Sequence, residues 1–516
     1  MLTNDATPGR VWSHAAVSAE APAWVRDAIF YQIFPDRFAG SSRVAKPGVL
    51  EPWDSPPTIH GFKGGDLLGI AERLDYLADL GITALYLTPI FASASNHRYH
   101  TYDYLTVDPL LGGDAALREL LDAAHDREMR VVLDGVFNHT GRGFWPFHHV
   151  LEVGGASPYR GWFHVDDAAL DANRALNAYP PPGTPASALG YEAWWGLPAL
   201  PKLNTDEPAV REYLFGVAEH WLRFGIDGWR LDVPAEIDDE AFWQEFRTRC
   251  RAVKPDAYLV GEIWHVEPEW LTGDRFDALM NYPLAEAIIG FAGGQQLDMA
   301  VVRAHHEYAG TVAPRDGAAF AARLRELLVA YDPSTVAVQL NLLGSHDAPR
   351  LRTVVGGSVA RVKLAMMLQA TLPGAPCLYY GDEVGLTGGN DPGCRGAFPW
   401  DEARREPGLR DTVRTLFRLR HAEPVLRDGP LAIVGTTAST VAYERGTGAS
   451  RFVVVANPGD GAVRLMLRFA DAPAGHGGHL APIPLPGLDG VGEAPIVDGH
   501  ATLDVAPISG TILRVV

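Results

Sequence analysis

The stretches GIDGWRLDVPAE (225–236) and AYLVGEIWH (257–265) decide the fold. Each holds a short apolar run that ends on a carboxylate, Asp232 in the first and Glu262 in the second. Buried parallel strands read as such runs, and a parallel barrel carries its chemistry at the strand C-terminal ends. Working outward, six more runs fit: AIFYQIF (28–34), ITALYLT (82–88), RVVLDGVF (130–137), FDALMNY (276–282), AVQLNLLG (337–344) and PCLYYG (376–381). Between them, LLGIAERLDYLADLG (67–81) and DAALRELLDAAHDREM (114–129) carry apolar residues at helical spacing. Eight strands alternating with helices predict an α/β fold, a (β/α)8 TIM barrel.

The barrel is expected over residues 26–138 and 207–425, after an N-terminal extension at 1–25. The third and fourth strands are separated by an aromatic, Pro- and Gly-rich tract with GFWPFHHV, AYPPPGTP and YEAWWGLPALPKLN. A connection of that length reads as a loop-like subdomain over the barrel mouth, assigned to 139–206. From 426 to 516 the pattern changes to short alternating runs, including STVAYERG, SRFVVVANP and GTILRVV, which predict an all-β C-terminal sandwich.

Composition narrows the function classes. The formal charge of −19 and the lack of a dense Lys/Arg cluster argue against a nucleic-acid partner. No run is long and apolar enough for a membrane span, and the first twenty residues lack a signal-peptide pattern, so a cytoplasmic protein is expected. Cys250, Cys377 and Cys394 are too few and too scattered for a disulfide framework or a zinc site, and read as buried thiols. Thirteen Trp and seventeen Tyr suit a sugar ligand, whose apolar faces lie well on rings.

On a strand, Arg230 and Asp232 share a face, so the guanidinium favours the ionised carboxylate. A lone pair of this kind reads first as a structural salt bridge. Glu262 ends the next strand beside Trp264, where an aromatic wall favours a protonated carboxyl. One ionised and one protonated acid on successive strands is the pairing that acid-catalysed glycosidic cleavage requires. Asp347 and His346 close the seventh strand in NLLGSHD, and Asn138 and His139 close the third in DGVFNH. Singly, each histidine reads as a satisfied core residue. Asp134 reads as structural, and Tyr99 equally as a stacking platform or a core ring. GFKGGDL and GDEVGLTGGNDPGCR lack the spacing of a phosphate loop, and HHE (305–307) lacks that of a zinc site.

In order, GFKGGDL, DGVFNH, GWRLDVPAE, GEIWH, NLLGSHD and GDEVG resemble the α-amylase family of glycoside hydrolases. LPKLN, MNYP and TGGNDPGCR are similar to its cyclomaltodextrinase, neopullulanase and maltogenic amylase group. The resemblance implies a retaining, endo-type, maltose-forming hydrolase of α-1,4-glucans with some transfer to sugar acceptors. It implies a nucleophile at Asp232, an acid/base at Glu262 and a transition-state stabiliser at Asp347. Sugar contacts are implied from Tyr99, His139, Arg230 and His346, with Asp391 and Arg395 further out, and Glu236, Trp264 and His265 toward the acceptor.

Two departures shape the expectations. The group carries an N-terminal β domain that supports a dimer, whereas residues 1–25 are too few for one, so a monomer with a more open site is expected. Relatives that bind calcium after DRF have a loop rich in Asn and Asp, whereas AGSSRVAKPG (39–48) is depleted in hard oxygen ligands. No cofactor is expected to be required, and calcium is not expected to be essential. A dedicated 4-α-glucanotransferase is the rival enzyme, and a non-catalytic binding subunit is the rival from another class. The three acids, each in an intact motif, speak against the second.

Overall fold

The computed structural model describes residues 10–12, 21–171, 176–448, 450–469 and 478–516. The eight predicted strands are present as β1 (Phe30–Ile33), β2 (Ala84–Leu87), β3 (Arg130–Gly135) and β4 (Gly228–Leu231), followed by β5 (Tyr258–Gly261), β6 (Ala278–Leu279), β7 (Leu340–Leu342) and β8 (Ala375–Tyr379). Their hydrogen-bonded order is β7-β8-β1-β2-β3-β4-β5-β6. Met280 bridges Leu340 in parallel, and Asn281 N–H donates to Leu340 O at 2.8 Å. These contacts close the sheet into a barrel.

Strand residues alternate between two cores. Phe30, Tyr86, Val132, Val260 and Leu342 pack in one cluster inside the barrel. Tyr31, Leu85, Leu133, Leu231 and Leu259 belong to the larger cluster under the surrounding helices. β6 is shorter than its apolar run because Asn281 stops it: its side chain accepts from Leu284 N–H and opens the helix Tyr282–Gly293. The single helix expected over 67–81 is two, Leu67–Ala71 and Leu74–Leu80, because Arg73 leaves helical geometry.

Two buried acids tie the lower rim and do no chemistry there. Asp227, just before β4, accepts Val131 N–H at 2.8 Å and pairs with Lys254 at 2.7 Å and Arg130 at 3.0 Å. Asp277, just before β6, accepts Leu259 N–H at 2.8 Å and pairs with Arg247 and Arg251. Acids before a barrel strand stitch neighbouring strands, whereas acids after it face the mouth.

Between β3 and β4 the inserted tract carries the helix Trp145–Val153 and folds back on itself. Its limbs are pinned by bridges from His139 to Lys202 and from Phe163 to Leu203. The C-terminal region holds β9 (Leu431–Thr436), β10 (Val441–Thr447), β11 (Ser450–Asn457), β12 (Val463–Arg468) and β13 (Gly478–Ile483), then β14 (Ala494–Ile496), β15 (His500–Val505) and β16 (Ser509–Val515). β12 and β15 pair only with each other, and the remaining six belong to one antiparallel sheet. Val455, Leu465, Leu503 and Leu513 fill the space between the two layers. The short strand Arg10–Trp12 extends that sheet beside β9. All three cysteines are buried and free, and among the described residues no helix is long and apolar enough to cross a membrane.

Gly228 marks the tightest approach of β4 to β5, since a Cβ there would lie 2.2 Å from Tyr258 O. Gly228→Ala is expected to cost about 1–3 kcal/mol through forced separation of the strands, read as a lower thermal unfolding midpoint. An unchanged midpoint would contradict the close approach.

Candidate active site

Asp232 follows β4 and Glu262 follows β5, each held by its backbone to the preceding strand: Asp232 N–H donates to Gly135 O and Glu262 N–H to Leu231 O, both at 3.0 Å. Beneath them lies Arg230, fully buried inside the barrel. Its Nη1 donates to Asp134 Oδ1 at 2.8 Å and Asp232 Oδ1 at 2.9 Å, and its Nη2 forms an ion pair with Glu262 Oε2 at 2.8 Å. One planar guanidinium thus spans three carboxylates.

The chain turns sharply between the two acids. Val233 sits at φ 36°, ψ 53°, a left-handed conformation strained for a β-branched residue. The turn aims Val233 N–H at Glu262 Oε2, 3.1 Å away. Asp232 lines the cavity, and its buried Oδ2 has no hydrogen-bond partner among the described residues. Asp134 also accepts the hydroxyls of Tyr86 at 2.7 Å and Tyr99 at 2.8 Å, which satisfies its second oxygen.

The third acid is held on every side. Gln32 Nε2 donates to His346 Nδ1 at 2.8 Å, so Nε2 of His346 carries the proton toward Asp347 Oδ2 at 2.9 Å. Arg395 Nη2 donates to Asp347 Oδ1 at 3.2 Å while its Nε donates to His346 O at 2.8 Å, and Asp391 pairs with Arg395 at 2.9 Å. Tyr99 stacks on His346, with ring centres 5.2 Å apart and planes within 7°.

Electrostatics separates these acids. Burial raises the Asp232 carboxyl well above its ordinary value despite Arg230, and the charges of Glu262 and Asp134 add to the rise. Burial also raises Glu262, against Arg230 and with Asp347. Burial therefore disfavours full ionisation of both acids on the one guanidinium. Burial acts on Asp347 too, but His346 and Arg395 outweigh it and hold that carboxyl well below the usual range. His346 and Arg395 thus favour the anion at Asp347, whereas burial favours the protonated form across Asp232 and Glu262. Trp264, expected beside Glu262, stacks on Tyr282 with centres 3.5 Å apart; burial favours the protonated Glu262 carboxyl, and Arg230 and Val233 oppose it.

The acids open into a cavity of about 710 Å³. Of the residues singled out from sequence, Tyr99, Asp232, Glu236, Glu262, Trp264, His265, Asp347, Asp391 and Arg395 line it. Arg230, His346 and His139 lie behind the lining. His139 is fully buried against Trp194, and burial lowers its pKa to about 3. The wall also includes His97, Trp194, Trp195, His305, His306 and Asn390, which sequence reasoning passed over. The aromatic insert was a visible signal for Trp194 and Trp195. HHE was weighed only as a zinc motif.

Three carboxylates gathered in one cavity at the mouth of a (β/α)8 barrel are an arrangement suited to glycosidic cleavage. Residues 32–418 match the family model for the α-amylase catalytic domain, and the chain belongs to the α-amylase family. A cyclomaltodextrinase from Geobacillus thermopakistaniensis is 43% identical over 442 residues, which are 85% of this chain and 70% of that protein. The crystal structure of Ttha1563 from Thermus thermophilus shares 47% identity at a TM-score of 0.85, covering 95% of this chain and 100% of the other. A debranching enzyme from Nostoc punctiforme shares 43% identity at a TM-score of 0.83, covering 97% and 100%.

Replacing Arg230 leaves buried carboxylates unpaired. Arg230→Met is expected to lose about 3–5 kcal/mol of stability. Arg230→Lys, which keeps the charge and loses the fork, is expected to fold and to lose about 10²-fold or more in kcat. Thermal unfolding and initial rates check both, and a Lys variant with wild-type kcat would contradict the bridging role.

Proposed function

We propose that this glycoside hydrolase cleaves α-1,4-glucosidic bonds of starch, maltodextrins, cyclodextrins and pullulan by double displacement, with Asp232 as nucleophile and Glu262 as acid/base. The observation that carries this reading is Arg230 paired to both acids at 2.8–2.9 Å. Glu262 gives its proton to the glycosidic oxygen while Asp232 attacks the anomeric carbon. Asp232 loses its charge as the ester forms and Glu262 gains one as the proton leaves. The net charge around Arg230 stays the same, so no buried guanidinium is stranded during the step. Glu262 as an anion then receives Val233 N–H, and it takes a proton from water or a sugar hydroxyl as that oxygen resolves the ester. Asp347, held ionised, stabilises positive charge developing on the sugar ring.

We also propose that no calcium is needed at the loop after DRF. The oxygen ligands there are already engaged. Asp36 accepts Lys63 N–H at 2.9 Å and Gly64 N–H at 3.1 Å and pairs with Arg37. Asp66, fully buried, caps a helix through Gly69 N–H and accepts Ser41 N–H at 2.9 Å. The ammonium of Lys46 reaches Asp66 Oδ2 at 3.1 Å and donates to Leu110 O. That ammonium supplies the positive charge a hard cation would bring.

Glu262→Gln is expected to slow hydrolysis of maltotriose by about 10²–10⁴-fold. An aryl maltoside whose leaving group needs no proton should still form the ester near the wild-type rate in that variant, and Asp232→Asn should fail on both substrates. Equal losses on both substrates in Glu262→Gln would remove its acid role. For the loop, a chelator is expected to leave the thermal midpoint unchanged, and Lys46→Met to lower it whether or not calcium is added. A midpoint that falls with chelator and recovers with calcium would contradict the lysine's role.

A further inference from the structure

Two motifs remain without a task, the Trp194–Trp195 pair of the insert and HHE at 305–307. The structure joins them. Trp195 adopts φ 52°, ψ 21°, a left-handed conformation that is strained for a bulky side chain. Its ring lies on Trp194, with centres 4.6 Å apart and planes within 13°. Trp194 in turn lies on His139 at 4.9 Å and 7°. The three rings form a pile that rises from the end of β3 to the rim, where Trp195 is 66% exposed.

His306 meets Trp195 edge-on, at 5.3 Å and 83°. It comes from the connection between β6 and β7, and its neighbour fixes that segment. His305 Nδ1 accepts Tyr308 N–H at 3.2 Å, so Nε2–H donates to Asp347 O at 2.8 Å. Both arms of the contact are therefore anchored, one on the buried His139 and one on the backbone of the third acid.

Topology makes the contact a chord across the mouth. It joins the β3–β4 connection to the β6–β7 connection, and the two strands between are β4 and β5, which end in Asp232 and Glu262. Glu236, Trp264 and His265 lie on the loops after β4 and β5, on one side of this line. Tyr99, Asp347 and Asp391 come from the loops after β2, β7 and β8, on the other. Trp195 and His306 line the same cavity as Asp232 and Glu262, so a glucan lying across both halves meets their contact.

We propose that Trp195 and His306 form a bridge over the reacting acids that favours short linear maltooligosaccharides over closed rings. This rests on the α-1,4 hydrolase reading above. A free chain end slides under the bridge, whereas a ring enters only when the two rings part. Edge-on aromatic pairs are worth enough to hold such a bridge closed roughly 2–10-fold over open. A ring substrate binds only the open fraction, which lowers its apparent affinity about 3–11-fold.

The test compares kcat/KM on maltotriose and β-cyclodextrin for the wild type, Trp195→Ala, His306→Ala and the double variant, with thermal midpoints to confirm folding. The cyclodextrin-to-maltotriose ratio is expected to rise about 3–11-fold in each single variant. The double variant should rise no further than the singles, because the same contact is lost once. A ratio that stays the same or falls in His306→Ala overturns the bridge. A wild type that cleaves neither sugar overturns the hydrolase reading instead, so the two failures are distinguishable.

Discussion

Arg230 is the constraint on which the site depends. A guanidinium with no solvent exposure is tolerable only with its charge matched, and Asp134, Asp232 and Glu262 supply that match. The burial that demands the pairing also raises the Asp232 and Glu262 carboxyls together. Asp134 accepts the hydroxyls of Tyr86 and Tyr99 on its other oxygen. The barrel contributes the geometry: three successive strands, β3, β4 and β5, each deliver one carboxylate to the same cation. The strain at Val233 belongs to this arrangement, because the left-handed turn is what brings its N–H to Glu262.

Asp347 is built on the opposite principle. Its carboxylate is held by a relay from Gln32 through His346 and by Arg395 on the other oxygen, while His305 anchors its backbone carbonyl. The contributing residues come from the loops or strands of β1, β6, β7 and β8, so this half of the site exists only once the barrel has closed. The two halves meet across the cavity with different protonation behaviour, and that difference lets one fold supply a proton donor and a fixed anion within a single pocket.

Much of the architecture was legible in the chain. Eight apolar runs with helical stretches between them are a local signal, and each appears as a barrel strand. The positions of the acids at the ends of β4, β5 and β7 were legible for the same reason, whereas a lone acid there reads equally as structural and their roles rest on the motifs taken in order. What stayed hidden depends on contacts distant in sequence. Nothing near Asp66 announces Lys46 as its partner, and the tyrosine hydroxyls that quiet Asp134 come from β2 and its loop. HHE was tested against metal spacing and found wanting, whereas its part is to wall the cavity and meet an aromatic ring from the insert. The shortness of β6 and the split of the 67–81 helix were set by one capping side chain and one backbone departure, which apolar periodicity does not register.

The most direct test of the paired acids is to trap the ester. The enzyme would be incubated with a fluorinated maltosyl fluoride that forms the glycosyl-enzyme quickly and releases it slowly, and the labelled peptide would be mapped by mass spectrometry. One sugar per chain, on Asp232, is the expected result. A label on Glu262 or Asp347 would contradict it, because the cavity-lining carboxylate paired to Arg230 at the end of β4 would then not be the group that attacks.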